Sequence, residues 1–405
     1  MSALVAVMLV FFIWALVAGR LGKWSITAPL VMVAAGMALT AGSDPFFVIH
    51  LETGSAETGI EVVLAILLFL DATEIPARAF RQHKGLVVRL LFIGLPLSLA
   101  LAWLAGLVLF PDESYWLLAV MAAVVIPLDL SPAGSVLRDV RIPATIRETL
   151  NVEGGLNDGL IAPIFLLFLA GATSGATGDE PADVLADVAP TLVIAVLVGG
   201  AIGVLGARLM VTVFLAGWTE PSALRLGVLA VPLLGFGTAE LLSGNGFIAA
   251  FVTGICFGTA TRRLPADALH FTEDAGNMLS LVVWFIFGSL VNVALASGGL
   301  VAAIPYALIA VTVVRILPVM AALLGSGVSV RDAFVFGWLG PRGMGSIVFG
   351  LLAYIDLSSP QNDTVADVMV ATVALSVALH GLTAGLIGAW FGRSGGTASK
   401  ELPAG

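Results

Sequence analysis

Apolar stretches of membrane-spanning length recur from one end of this chain to the other, and few folds can accommodate them. Thirteen can be marked: 3–19, 28–42, 59–74, 86–110, 115–137, 145–171, 187–214, 224–242, 246–261, 277–293, 299–324, 332–355 and 365–391. A helix needs about 20 apolar residues to cross a bilayer, and backbone polar groups in hydrocarbon must be satisfied inside helices or closed barrels. The alternating pattern of barrel strands is missing, which leaves an all-α polytopic membrane protein. Of 405 residues, 59% are hydrophobic and 11% charged, with mean hydropathy +1.07; ordinary soluble domains carry about 25% charge. A soluble enzyme is therefore excluded. No basic patch invites nucleic acid. The single cysteine, Cys256, rules out an internal disulfide and a cysteine-based metal centre. No positive residue precedes 3–19, and the run is long for a signal core, so it reads as a first transmembrane helix.

The charges set the orientation. Of 18 Lys and Arg, Arg315 and Arg342 lie inside spans. The other 16 fall at or near alternate connections or the C-terminus. The opposite connections carry acids, among them Asp44, Glu52, Asp112, Glu113, Asp179, Asp363 and Asp367, and no Lys or Arg. The positive-inside rule then places the N-terminus outside and the C-terminus in the cytoplasm of an inner (plasma) membrane.

Two spans should be broken. Pro127 and Pro132 interrupt the fifth, since proline lacks the amide donor and clashes with the preceding turn. Gly337, Gly340, Pro341, Gly343 and Gly345 interrupt the twelfth. Irregular backbone at membrane depth persists only where protein buries it or a wet cavity solvates it. Paired interruptions in corresponding places point to a transporter with two inverted six-helix repeats, spans four–six and eleven–thirteen being related with opposite orientation.

The acids carry the chemistry. A carboxylate at the bilayer centre costs roughly 2.5–3.5 kcal/mol on insertion scales and is functional by default. Asp129, Glu153 and Asp158 fall in two consecutive spans. Asp129 and Asp158 are candidate ligands for Na⁺, with the Asn157 amide and the carbonyls freed at the break near Leu128 as further oxygen donors. Desolvation favours the protonated carboxyl and a bound cation favours the carboxylate, so proton and cation compete for one site. Glu153 and Arg315 form a buried structural pair. Arg342, beside the second break, shapes the field at the ions or lies in a wet cavity. Asp71 reads as a cytoplasmic helix end, whereas Glu74 is the acid that could face the cytoplasmic funnel. His380 is packed and hydrogen-bonded, or it senses pH. Asp356 and Glu240 read as exposed ends.

These residues resemble the monovalent cation/proton antiporters, specifically the NhaP and sodium–hydrogen exchanger branch, over nearly the whole chain. That branch carries Thr-Asp-Pro in a broken helix and Glu-Ser-x-x-Asn-Asp-Gly in the next. Asp129 matches the first acid, Glu153 the Glu, and Asn157, Asp158 and Gly159 the Asn-Asp-Gly. VVRILPV with Arg315, GPRGMGS with Gly340, Pro341, Arg342 and Gly343, and SVALHGLTAG with His380 resemble later family segments. The chain departs from the pattern at Leu128, where the family has Thr, at Leu130, where it has Pro, and at Gly154, where it has Ser. The Leu128 carbonyl can still serve; the Ser hydroxyl is gone, and Ser131 offers a substitute. The resemblance implies a homodimer in which residues 86–171 and 299–391 form the moving ion-transport core and 1–74 and 187–293 the scaffold, and electroneutral exchange of Na⁺ (or Li⁺ or K⁺) for H⁺, with no cofactor. The rival readings are a cation channel or ion sensor on the same scaffold, and a transporter of an organic solute.

Overall fold

The computed structural model describes residues 2–23, 27–41, 54–73, 77–130, 139–174, 181–261 and 264–395. Among them there is no strand. The helices are α1 (Ser2–Lys23), α2 (Ala28–Thr40), α3 (Gly54–Thr73), α4 (Ala77–Arg89), α5 (Leu95–Leu109), α6 (Tyr115–Val125), α7 (Ala144–Ser174) and α8 (Pro181–Leu215). They continue with α9 (Pro221–Leu241), α10 (Gly246–Ala260), α11 (His270–Ser297), α12 (Leu300–Val311), α13 (Val313–Ala322), α14 (Val330–Trp338), α15 (Met344–Asp356) and α16 (Gln361–Gly395). Eight described segments are long and apolar enough to cross a membrane. With several shorter apolar helices packed between them, they make this an integral membrane protein.

The helices pack in two sets. In the first, α2 lies on α11, and α10 sits between α3, α8 and α9. Small residues allow the close crossings, as expected where no hydrophobic force separates helix from lipid. A Cβ on Gly36 of α2 would come within 2.2 Å of the Phe285 carbonyl oxygen of α11. In the second set, α6 packs on α5 and α7, α15 packs on α16, and α12 packs on α16. Helix α1 is apolar all round; it touches α2 and leaves Phe12 and Leu16 exposed.

Both expected breaks are present. Helix α6 begins at a Ser114 cap, whose hydroxyl accepts from the Leu117 amide at 3.1 Å. It is buried on every side from Leu117 to Val125, as suits a central helix. It stops before Pro127, and residues 126–130 are non-helical. Helix α14 stops at Trp338, and α15 starts after Gly343. Pro132 and Ser131 lie outside the described residues.

Two irregularities were not anticipated. The fourth span enters through α4, bent at His83, and makes a π-helical turn over Leu90–Gly94 before Pro96. The eleventh span is interrupted at Thr312, which separates α12 from α13. A proline removes the hydrogen bond one turn upstream, so Pro96 and Pro318 were the available signals. Asp367, grouped above with the loop acids, instead lies within α16 and is buried against Gly299 at the start of α12.

Candidate ion-binding site

The two breaks cross and hold each other. The Asp129 amide donates to the Pro341 carbonyl at 2.9 Å. The Met344 amide, at the first turn of α15, donates to Asp129 Oδ2 at 2.9 Å. Asp129 thus supplies a carboxylate where a helix presents unsatisfied amides and the positive end of its dipole. From the second break, Arg342 reaches back across and donates through Nη1 to the Ile126 carbonyl at 2.8 Å. Its own amide donates to Ser376 Oγ of α16 at 2.6 Å. Each broken backbone therefore satisfies part of the other, which is how irregular structure persists at membrane depth.

Helix α7 brings the remaining acids. Asp158 and Asn157 are buried, and Asp158 Oδ1 and Asn157 Oδ1 have no hydrogen-bond partner among the described residues. The Leu128 amide of the first break hydrogen-bonds the Asp158 carboxylate. Glycines in the second break make room for both acids. A Cβ on Gly343 would stand 2.3 Å from Asp129 Oδ2, and one on Gly345 would stand 2.5 Å from Asp158 Oδ2 and 2.8 Å from Pro127. Both carboxylates therefore face the start of α15 from opposite partners. Gly154 faces the break as well: a Cβ there would meet only the Leu128 carbonyl oxygen, at 3.9 Å.

Glu153 and Arg315 form the expected buried pair. Arg315 Nη1 donates to Glu153 Oε1 at 2.6 Å and Nη2 to Oε2 at 2.8 Å, a bidentate fork with the acid 1% and the base 3% exposed. Gly340 packs on this pair, since a Cβ there would lie 2.7 Å from Arg315 Nε and 3.1 Å from Leu128 Cδ2.

Of the residues singled out in the sequence, Pro127, Leu128, Asp129, Glu153, Asn157, Asp158, Arg315, Gly340, Pro341, Arg342 and Gly343 converge here. Glu74 lies outside the described residues. Of the two readings of Arg342, the structure fits the first: it is an opposite charge neighbouring Asp158, and it is buried rather than in a wet cavity. It is 1% exposed and clamps one break to the other. Asp71 was read as a plain helix end, yet together with Asp129 it is a charged neighbour of Asp158. Its place in the last turn of α3, with a second acid three residues on, was the only signal in the sequence. His380 follows the packed reading. It is buried, with Nδ1 at 3.0 Å from Ser376 Oγ and 2.8 Å from the Ser376 carbonyl oxygen. Among the described residues, no three His, Cys, Asp or Glu side chains gather as a metal cluster.

Crossed broken helices with carboxylates at the crossing define a membrane ion transporter fold. The solved sodium proton antiporter MjNhaP1 from Methanocaldococcus jannaschii at pH 8 superposes with a TM-score of 0.73 at 20% identity, covering 96% of this chain and 99% of that one. An electron-microscopy structure of the same protein gives 0.70 over 100% and 99%. The model of the sodium/hydrogen exchanger transmembrane family matches residues 5–390, and the chain belongs to that family. A K(+)/H(+) antiporter, NhaP of Alkalimonas amylolytica, is 22% identical over 393 residues. The alignment takes in 94% of this chain and 65% of that relative's length.

Proposed function

We propose that this protein is a secondary antiporter that exchanges a monovalent cation for H⁺ across the membrane. Na⁺ is the first candidate, with Li⁺ and K⁺ as alternatives. The single observation that carries this reading is the buried Asp158 carboxylate, whose Oδ1, like Asn157 Oδ1, has no hydrogen-bond partner among the described residues. A buried carboxylate with spare lone pairs takes a cation or a proton, and each displaces the other. Asp129 shares the cation, and the positive end of α15 steadies it in the interval when the site is empty. The Leu128 carbonyl is the backbone ligand, and Ser131 and Glu74 are further candidate ligands. Glu153–Arg315 is a brace that keeps α7 registered against the breaks.

In this reading thirteen spans form two inverted repeats. Residues 86–171 and 299–391 move as the ion-carrying core against a scaffold of 1–74 and 187–293. The protein is a homodimer in the plasma (inner) membrane, N-terminus outside and C-terminus cytoplasmic, and one cation exchanges for one proton. K⁺ belongs in every assay because the curated relative is named for it.

The test is proton flux in proteoliposomes given Na⁺, Li⁺ or K⁺ in turn, with and without a clamped membrane potential. Proton movement driven by one cation and indifferent to voltage supports electroneutral antiport and names the cargo. A cation current without proton movement overturns it in favour of a channel.

A further inference from the structure

A cavity lies away from Asp129 and Asp158. It has a volume of ≈ 1340 Å³ and sits between α5, α6 and α7, at the end of the molecule that carries the 110–114 and 357–360 connections. Its lining contains neither Asp129 nor Asp158, so it is not the ion site. Three large rings dominate its wall: Trp103, Tyr115 and Trp116. Two carboxylates, Glu113 and Asp356, also line it, and no Lys or Arg is among the residues that do.

The wall is built rather than loosely filled. The Trp103 indole Nε1 donates to the Tyr115 carbonyl at 3.1 Å, and the two rings stand 6.1 Å apart at 45°. Trp116 lies so close over Gly171 that a Cβ there would come within 2.3 Å of the indole, and its other neighbour is Phe168 at 6.4 Å. Glu113 Oε1 accepts from Thr364 Oγ1 at 3.3 Å, which ties the carboxylate to the start of α16. Tryptophan and tyrosine also gather at bilayer interfaces as plain anchors. Anchors alone do not explain a cavity of this size with acids and no base in its lining.

We propose that this cavity binds amphipathic organic cations, with the apolar part of the ligand against α5 and α7 and the charge among the rings and carboxylates. Aromatic faces attract cations within about 6 Å, most strongly when both are desolvated. Ligand pockets typically join a mainly apolar wall to a few orienting polar groups. The absence of basic lining residues turns away anions of the same shape.

The experiment uses the full chain in nanodiscs and follows tryptophan quenching by tetraphenylphosphonium, with tetraphenylborate as the probe of equal shape and opposite charge. Saturable quenching by the cation and none by the anion is expected. The double variant Glu113→Gln/Asp356→Asn should weaken the cation tenfold or more. Ala172→Phe, which fills the wall without touching a charge, should do the same. Equal quenching by both probes would mean an apolar groove filled by lipid and would overturn the proposal. So would cation binding that both variants leave unchanged.

Discussion

Glu153 and Asp158 sit five positions apart on α7, and both are buried acids, yet their surroundings are opposite. Both oxygens of Glu153 are held by the Arg315 fork. Among the described residues Asp158 keeps one oxygen without a hydrogen-bond partner; Asp71 and Asp129 are neighbours of its own sign, and Arg342, a neighbour of opposite sign, spends its Nη1 on the Ile126 carbonyl instead. The first charge is neutralised in place and has nothing left to bind. The second has no such fork, and in the proposed mechanism a cation or a proton takes the open oxygen. Burial by itself does not distinguish a structural acid from a working one; the counter-charge does.

The comparison breaks most completely at Asp158. Asp158→Asn should abolish cation-driven proton flux while leaving the Tm of the purified protein unchanged, because the amide oxygen can still accept from the Leu128 amide. A variant that still exchanges would move the carrier to another acid. Glu153→Gln should act the other way round, destabilising the protein by about 3–5 kcal/mol, since it strands a buried guanidinium. Thermal unfolding in detergent measures this, and Glu153→Leu/Arg315→Met should recover much of the loss, because removing both charges leaves none unpaired.

A smaller effect is expected at the helix start between the two acids. Gly343→Ala puts a Cβ where Asp129 Oδ2 stands, so the carboxylate must leave the Met344 amide. About a tenfold loss of apparent cation affinity in the flux assay, near 1.4 kcal/mol, is the expected result, with maximal rate less affected. The smallest effect sharpens the contrast of burial. Asp139 and Arg141 make a fork like that of Glu153 and Arg315, with Arg141 Nη2 at 2.6 Å from Asp139 Oδ2, but in an exposed connection. Arg141 holds the Asp139 carboxyl below its usual range. Its folded-state pKa is depressed, so any contribution is present above about pH 4, the ordinary aspartate value, and fades as pH falls through the lowered one. Asp139→Asn should leave Tm at pH 7 unchanged, because exposed pairs are screened by solvent.

Much of this was legible without coordinates. Both helix breaks were visible because proline and glycine act locally. Pro127 stops α6 whatever surrounds it, and the glycines at 340, 343 and 345 weaken any helix they enter. Glu153–Arg315 was inferred because an unpaired Arg in a span is costly and one acid remained over. Other features were hidden. Arg342 could be placed near the second break, but its bond to Ile126 depends on how two breaks 216 residues apart cross. Asp71 looked like a helix end because nothing nearby in the chain says that α3 ends facing Asp158.

Composition and span-length apolar runs alone determined that the chain lives in a bilayer, because no soluble core could take up so much apolar surface. The placement of acids and prolines alone pointed to the stretches around Asp129, Asp158 and Pro341 as the candidate site. Only the tertiary structure decided which acid is bound to a counter-charge and which is left open. Coulombic and hydrogen-bond partnership depends on separation in space over a few ångströms, and in this protein that separation is set by crossings between helices far apart in the chain.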